Sequence, residues 1–161
     1  MQLYDHQKAH LQKYAPAEYH GLWWQMGTGK TLSVLLTAVI LHQAKRLGGV
    51  VVIAPNGVHA NWLLEIKKFL PEVRGVAYSS RGSLPQRRAI KDLFENTQGL
   101  RLLTMNVEAL SYPKSEAVKL VHDFLKTVPS MLVIDESTVI KNPKAMRTKV
   151  ALKFAPMVKY R

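Results

Sequence analysis

Hydrophobic residues recur along this chain at two spacings, which alternate from one end to the other. Short apolar or β-branched runs predict strands near residues 21–25, 50–54, 74–78, 101–105 and 131–134. Longer stretches with helical spacing predict helices near residues 4–14, 30–46, 58–69, 84–96, 115–127 and 144–154. Such alternation requires parallel strands joined by right-handed crossovers. The pattern therefore predicts an α/β fold of three layers, with a mostly parallel sheet and helices on both faces.

A glycine-rich segment joins the first predicted strand to the next helix. Gly27 and Gly29 lack Cβ atoms where the backbone must turn tightly and approach an anion. The amide groups of residues 27–32 would then point at a phosphate from the start of a helix. Lys30 is expected to reach the β- and γ-phosphates, and Thr31 to give its hydroxyl to Mg²⁺. The candidate ATP-binding residues of this loop are Met26, Gly27, Thr28, Gly29, Lys30, Thr31 and Leu32.

One residue of this segment departs from the general phosphate-loop pattern. Trp24 stands where the pattern has its first glycine. The alternative interpretation is a glycine-rich turn before an ordinary core helix.

Two carboxylates directly follow the last predicted strand. Residues 131–134 are a continuous apolar run, which is typical of a central parallel strand, and Asp135 and Glu136 come where it ends. Ligands of open α/β sheets bind at this end of the strands, where the phosphate loop is also predicted. We therefore expect Asp135 to hold Mg²⁺ and Glu136 to orient or activate the attacking water, beside Lys30 as the third catalytic residue. The alternative is an acidic pair that caps the next helix.

Three further loops are predicted at the same edge of the sheet. Pro55 and Asn56 close one strand, Thr104 and Asn106 lie where another ends, and Lys141 begins a basic segment after the carboxylates. Taken singly, each is an ordinary βα loop. Along one edge they would form a track for a nucleic-acid backbone, so these five residues are the candidate nucleic-acid contacts.

The chain is strongly basic, and this charge favours a polyanionic partner. Its 161 residues include 23 Lys and Arg against 11 Asp and Glu, a net charge of +12. Nucleic acid is the expected partner, because neutralising its phosphates releases counterions. The alternatives are solvated basic helix faces, or a fragment whose acidic portion is missing. The sequence does not decide between a solvated face and a DNA contact for the basic helix that carries Arg81, Arg87, Arg88 and Lys91.

The amino-acid composition argues against several other classes of protein. The chain has the length of one domain, and 47% hydrophobic residues argue against disorder. It has no cysteine for a disulfide or thiolate metal site, and its six histidines lack ligand spacing. No apolar run reaches the roughly 18 residues of a membrane span, and the N-terminus has no signal-peptide character. We expect a protein of the cytoplasm of a bacterial or phage-infected cell, or one associated with the nucleoid, rather than a secreted one.

The order of these motifs resembles the first RecA-like lobe of a superfamily 2 helicase, with the Swi/Snf-like DNA-dependent ATPases most similar. Residues 26–31 resemble that family's Met-Gly-x-Gly-Lys-Thr loop, in which the first pattern glycine is commonly absent, although an acidic residue is more usual near Trp24. Residues 3–7 resemble the leading segment whose glutamine reads adenine, which makes Gln7 a candidate ATP-binding residue. The resemblance implies one helicase ATP-binding domain over residues 1–161, with residues 1–19 as the adenine-side leading segment.

The later motifs carry the same resemblance. Residues 52–55, with Asn61-Trp62 and Glu65, resemble the DNA-contacting motif after the second strand, and residues 104–108 resemble the next one. Asp135-Glu136-Ser137-Thr138, then Lys141-Asn142-Pro143 and Arg147-Thr148, are similar to the family's Asp-Glu-x-His box and its tail. Thr138 replaces the histidine, which bears on how ATP is coupled to DNA. The resemblance implies ATP and Mg²⁺ as cofactors and duplex DNA as the partner.

The family's Ser/Thr-Gly-Thr-Pro strand and second RecA-like lobe do not occur within residues 1–161. The resemblance thus implies a lobe that binds nucleotide but hydrolyses it poorly alone, and whose open sheet edge invites self-association. Two alternatives stay open. One is the lobe of a strand-separating or restriction-type helicase, and the other is a non-catalytic module that binds nucleic acid or a partner.

Overall fold

The computed structural model describes residues 2–161, which form a four-stranded sheet with helices on both faces. The strands are β1 (Gly49–Ala54), β2 (Arg74–Ala77), β3 (Arg101–Asn106) and β4 (Ser130–Ile134). The helices are α1 (Asp5–Tyr14), α2 (Lys30–Gln43), α3 (Asn61–Phe69), α4 (Leu84–Glu95), α5 (Glu116–Thr127) and α6 (Met146–Phe154). Three 3₁₀ turns cover Val107–Ser111, Ser137–Ile140 and Ala155–Met157.

All four strands are parallel, in the order β2-β3-β1-β4. In register, Val52 of β1 lies between Thr104 of β3 and Val133 of β4. The carboxyl ends of the strands therefore meet at one edge, where βα loops carry polar side chains. The predicted α/β fold with a parallel sheet is confirmed.

Alternate residues of the central strands enter two separate cores, because side chains of a strand point to opposite faces. Val50, Val52 and Ala54 pack with residues of α2 and α3 on one face. Val51 and Ile53 pack with residues of α4, α5 and α6 on the other. The fully apolar β1 is thus explained by burial on both sides. Helix α1 packs against α2.

The strand predicted near residues 21–25 does not form, and this prediction is wrong. No backbone N–H of these residues donates a hydrogen bond within the described part of the chain, and Trp23 is 85% exposed. The free side of β4 is taken by Tyr160, whose carbonyl accepts from Leu132 N at 2.9 Å. Arg161 then pairs with residues 18 and 20, in the pattern of a parallel ladder. Residues 21–25 follow the last of these hydrogen bonds in the chain. They have the composition of a strand, but no neighbouring strand bonds to them within residues 2–161.

The other elements are close to their predicted positions, with two helices starting later than expected. α3 begins at Asn61 because a turn through Gly57, at φ +82°, occupies the residues after β1. α6 begins at Met146 because Asn142 accepts from the main chain of Lys144 and Ala145 and forms a turn of its own. Among residues 2–161, no helix has both the length and the apolar character needed to cross a membrane.

Candidate nucleotide site and sheet edge

The glycine-rich loop adopts a backbone geometry that favours glycine. Gly27 and Gly29 have φ of +75° and +78°, in the left-handed region. A Cβ at Gly27 would meet no atom within 4 Å, so the space over the loop is open to a ligand. Gly29 precedes α2, whose first turn has no side-chain cap and therefore keeps free N–H groups. This loop has the shape and the donors of an anion cradle.

The Lys30 ammonium lies inside the loop. Its Nζ donates to the carbonyl oxygens of Trp24, at 2.9 Å, and Gln25, at 3.0 Å. The Thr28 hydroxyl also donates to Gln25 O, at 2.7 Å. Neutral carbonyls thus hold the charge, and no carboxylate pairs with Lys30 among the described residues. Bonds to phosphate oxygens would be charge-assisted on both sides and stronger.

The remaining loop residues divide into exposed and buried ones. Met26 is 89% exposed at the start of the loop, whereas Leu32, in the first turn of α2, is buried. Leu32 can therefore offer a ligand only its main chain. The Thr31 side chain makes no hydrogen bond within residues 2–161 and is half-buried.

Gln7 connects the leading segment to this loop. Its Nε2 donates to Gly29 O at 3.2 Å, and its Oε1 accepts from Tyr4 N at 2.9 Å. Only 2% of Gln7 is exposed, which fixes the amide in this orientation. The second N–H of the amide and a lone pair on Oε1 remain for a base placed against the loop.

A cluster of aromatic and histidine rings lies between α1 and the loop. His6 approaches Thr28 O at 3.0 Å and meets the Trp24 ring edge-on at 4.8 Å between centroids. His10 contacts Trp24, Tyr14 and His20, and its Nε2 lies 3.3 Å from Thr37 Oγ1. Burial, and after it the proximity of His20, lower the pKa of His10. A neutral ring in this position fits the packing of α1 against α2.

Asp135 is anchored at both its main chain and its side chain. Its amide donates to Ile53 O of β1 at 2.8 Å, and its Oδ2 accepts from the Trp62 indole, Nε1, at 3.0 Å. The Trp62 side chain is buried, with 2% exposed. One carboxylate oxygen of Asp135 is therefore engaged, and Oδ1 accepts no hydrogen bond within residues 2–161.

Glu136 has an unusual backbone for its residue type. Its φ of +54° lies in the left-handed region, which costs a residue with a Cβ about 1–2 kcal/mol. Its side chain is exposed and makes no capping bond to the following turn, so the helix-cap alternative finds no support here. Strained residues of this kind concentrate at functional sites.

The two motifs lie at the same edge of the sheet but do not touch. Residues 18–20 run parallel to Arg161, which continues the line of Tyr160 beside β4. The loop that follows therefore emerges at the end of the sheet where Asp135 stands. No hydrogen bond or ion pair joins Lys30 or Thr31 to Asp135 or Glu136 in the described chain.

The oxygen atoms available at this edge are suitable ligands for magnesium. The Thr31 hydroxyl and the free Oδ1 of Asp135 are oxygen ligands, which Mg²⁺ prefers, and Mg²⁺ is commonly held by one or two protein groups together with phosphates. No group of three His, Asp or Glu side chains with the arrangement of a metal site occurs within residues 2–161. The Thr31 hydroxyl and the Asp135 carboxylate are two oxygen ligands, a number that suits Mg²⁺ whose other ligands are phosphate oxygens and water.

The predicted DNA contacts have different exposures. Asn56 and Lys141 are exposed at the edge, and Pro55 is half-buried beside Asn56. Asn106 is half-buried, and its Oδ1 accepts from Ala109 N at 2.9 Å, capping the next turn. Thr104 is completely buried within β3, so its side chain is not exposed at this edge, and its assignment as a DNA contact stays a prediction. The strand places that side chain in the sheet interior, two residues before the edge.

Two residues that support the site were not among the predicted site residues. Trp62, which the sequence placed only in a segment that resembles a DNA-contacting motif, is buried, and its indole donates to Asp135. Ser33 donates from Oγ to Gly29 O at 3.1 Å and so supports the loop from within α2. The Asn-Trp pair after the second strand was the available signal for Trp62, whereas a serine inside a helix gives none.

Comparison with known proteins agrees with this geometry. The architecture is that of a RecA-like lobe. The fold matches that of the Sulfolobus solfataricus SWI2/SNF2 ATPase core, solved in complex with dsDNA, with a TM-score of 0.67 and 22% identity. The match covers 99% of this chain and 30% of that chain. A family model described as SNF2-related domain matches residues 22–159. The chain therefore belongs to the SNF2-related domain family.

Relatives of this family share modest identity over most of the chain. Chromatin-remodeling ATPase INO80 of Pyricularia oryzae is 29% identical over 133 residues, which are 81% of this chain and 7% of that protein. ATP-dependent helicase brm of Drosophila melanogaster is 30% identical over 127 residues, 78% of this chain and 7% of that protein. The chain thus spans less than a tenth of the length of these curated relatives.

Proposed function

We propose that this chain is the ATP-binding lobe of a DNA-dependent ATPase that couples hydrolysis to translocation on duplex DNA. The observation that carries the proposal is the open loop at Gly27, with the Lys30 ammonium held, among residues 2–161, only by neutral carbonyls. Membership of the SNF2-related family and the fold of a dsDNA-bound ATPase core support it.

In this proposal Lys30 acts by exchanging partners. Its ammonium leaves the carbonyls of Trp24 and Gln25 and turns to the β- and γ-phosphates. The free N–H groups at the start of α2 add donors, and Gly27 allows the backbone to approach because it has no Cβ. Gln7 would present its remaining hydrogen-bonding capacity to the adenine.

The carboxylates would serve the metal and the water. Thr31 and Asp135 would hold Mg²⁺, which when bound neutralises charge on the β- and γ-phosphates. Glu136 would orient the attacking water, and its exposed carboxylate leaves room for one beside it. The exposed residues Asn56 and Lys141 would contact DNA phosphates, with Pro55 and Asn106 shaping the loops that present them.

Nucleotide binding is the direct test. Titration of fluorescent ADP with Mg²⁺ into the purified chain should give saturable binding, and Lys30→Ala should weaken it at least about tenfold, since hydrogen bonds to charged groups contribute about 1.5–3 kcal/mol. Lys8→Ala is the matched control, because Lys8 is exposed on α1 and, within the described part of the chain, pairs only with Asp5. Equal affinities for the two variants, or no binding by the unmodified chain, would refute the proposal.

Hydrolysis by residues 1–161 alone should be slow. Arginine fingers of a second lobe, which the family resemblance implies, contribute about 10³–10⁵ in rate. Turnover above about 1 s⁻¹ by this polypeptide, within the usual enzyme range, would contradict this expectation.

A further inference from the structure

The hydrogen bond from Trp62 to Asp135 joins two parts of the chain that are 73 residues apart. Nε1 of the indole lies 3.0 Å from Oδ2 of the carboxylate, which is a normal hydrogen-bond length. The indole N–H can only donate, and it carries no charge that changes with pH. The donation from the indole to Oδ2 therefore does not depend on the protonation state of Trp62.

Both partners of this bond are held rigidly. Trp62 is buried in the same core cluster as Val50, Val52 and Ala54, and close packing there restricts the rotation of its ring. The Asp135 main chain continues the ladder of β1 through Ile53 O. The bond therefore sets the carboxylate torsion and leaves Oδ1 as the oxygen that faces away from the protein donor.

We propose that Trp62 is a positioning residue for the magnesium carboxylate, so that Asp135 meets the metal through Oδ1 in one fixed orientation. This inference rests on the proposed function, because it assigns a role to a residue behind the same site. Partners that orient a metal ligand from behind typically change metal affinity about 10–100-fold when removed. Packing alone would not produce that effect, since phenylalanine fills most of the same volume.

The position of Trp62 in the chain gives the bond a second consequence. Trp62 is the second residue of α3, directly after the turns that carry Pro55 and Asn56. The loop that is the candidate DNA contact and the carboxylate that is the candidate metal ligand are therefore fixed to the same indole.

The test compares Trp62→Phe with Trp23→Phe in nucleotide binding with and without Mg²⁺. Trp23 is 85% exposed, and its indole makes no hydrogen bond within residues 2–161, so its variant is the matched control. Trp62→Phe should raise the Mg²⁺ concentration needed for tight ADP binding about tenfold and leave ADP affinity in EDTA unchanged. An unchanged Mg²⁺ requirement in a folded Trp62→Phe protein would overturn the inference while the proposed function stands.

A spectroscopic measurement keeps the inference testable if Trp62→Phe does not fold. The chain has three tryptophans, so its ¹⁵N–¹H spectrum has three indole signals. Asp135→Ala should move the Trp62 indole signal more than those of Trp23 and Trp24. Equal, small shifts of all three signals would overturn the inference. If magnesium does not strengthen ADP binding to the unmodified chain at all, the proposed function fails and this inference fails with it.

Discussion

The Gln7 side chain donates to the Gly29 carbonyl at 3.2 Å and is 2% exposed, so the leading segment and the glycine-rich loop form one unit. A Cβ on Gly29 would occupy the space of Gln7 Nε2. Gly29 is therefore required twice, once by its φ of +78° and once by this close approach. Gly27 has the same kind of φ but no neighbour within 4 Å of a Cβ.

The two glycines should respond differently to alanine. Gly27→Ala should cost only the backbone term, about 1–2 kcal/mol. Gly29→Ala should lower the free energy of unfolding further, because the new methyl group displaces a buried amide that then loses its partner, a loss of about 1–3 kcal/mol. Urea unfolding of both variants measures the difference.

A second substitution isolates the contact with Gln7. Adding Gln7→Ala to the Gly29→Ala variant should restore part of the additional free energy of unfolding that Gly29→Ala loses, because the new methyl group then has space. If the two glycine variants are equally stable, or if removing Gln7 destabilises both backgrounds equally, the close approach has no energetic role.

The sheet was predictable from the sequence because the central strands β1 and β3 are buried on both faces and therefore contain apolar runs. The all-apolar run of β1 and the alternation of its side chains between two cores leave one consistent arrangement. The segment at residues 21–25 has a similar composition, yet a strand also needs a hydrogen-bonded neighbour, and composition does not show which backbone lies beside it. Arg101 is a related case, since a charged residue in a predicted strand is fully buried and bonds to Leu93 O.

The site was predictable at the level of its motifs but not of its supporting contacts. Glycine spacing and carboxylates after a strand encode the loop and Asp135 locally. The indole behind Asp135 and the serine behind Gly29 depend on how α3 and α2 are packed. Thr104 shows a further limit, because the motif does not say how far from the end of its strand each side chain lies, and Thr104 is buried two residues before the end of β3.

The missing backbone bonds at residues 21–25 predict fast hydrogen exchange there. Amides of residues 22–25 have no acceptor in the described chain, whereas those of β1 lie between two strands. Exchange followed by NMR or mass spectrometry should show residues 22–25 unprotected and residues 50–53 exchanging only on global unfolding. Comparable protection in both segments would mean that residues 21–25 find a partner, for example in a second copy, and sedimentation would then show a dimer.

Stability should fall in mild acid because of His10. The lowered pKa means that the unfolded chain, with an ordinary value near 6.5, binds a proton before the folded protein does. Stability from this group is therefore complete above that value and declines as pH drops through the folded pKa, by at most about 1.4 kcal/mol per pH unit.

Replacing His10 isolates its contribution from those of the other histidines. His10→Gln removes the titrating ring that faces His20, Tyr14, Trp24 and Thr37. Urea unfolding at pH 7.5, 6.5 and 5.5 should give a flatter pH dependence for the variant than for the unmodified chain. The same slope for both would show that other groups cause the acid sensitivity.

Removing a lysine at the carboxyl edge of the sheet should weaken DNA binding more than removing one at the amino edge. Lys141 is exposed after the carboxylates and forms no ion pair within residues 2–161, and Lys126 is equally exposed and unpaired at the amino end of β4. Lys141→Ala should weaken duplex binding and reduce the slope of log K against log salt by about 0.9, the value for one phosphate contact. Lys126→Ala carries the same loss of charge at the opposite edge and should leave that slope unchanged. Fluorescence anisotropy with a labelled duplex at several salt concentrations measures both slopes. Equal reductions in the two variants would indicate that the net charge of the protein attracts DNA and that the carboxyl edge is not a specific binding surface.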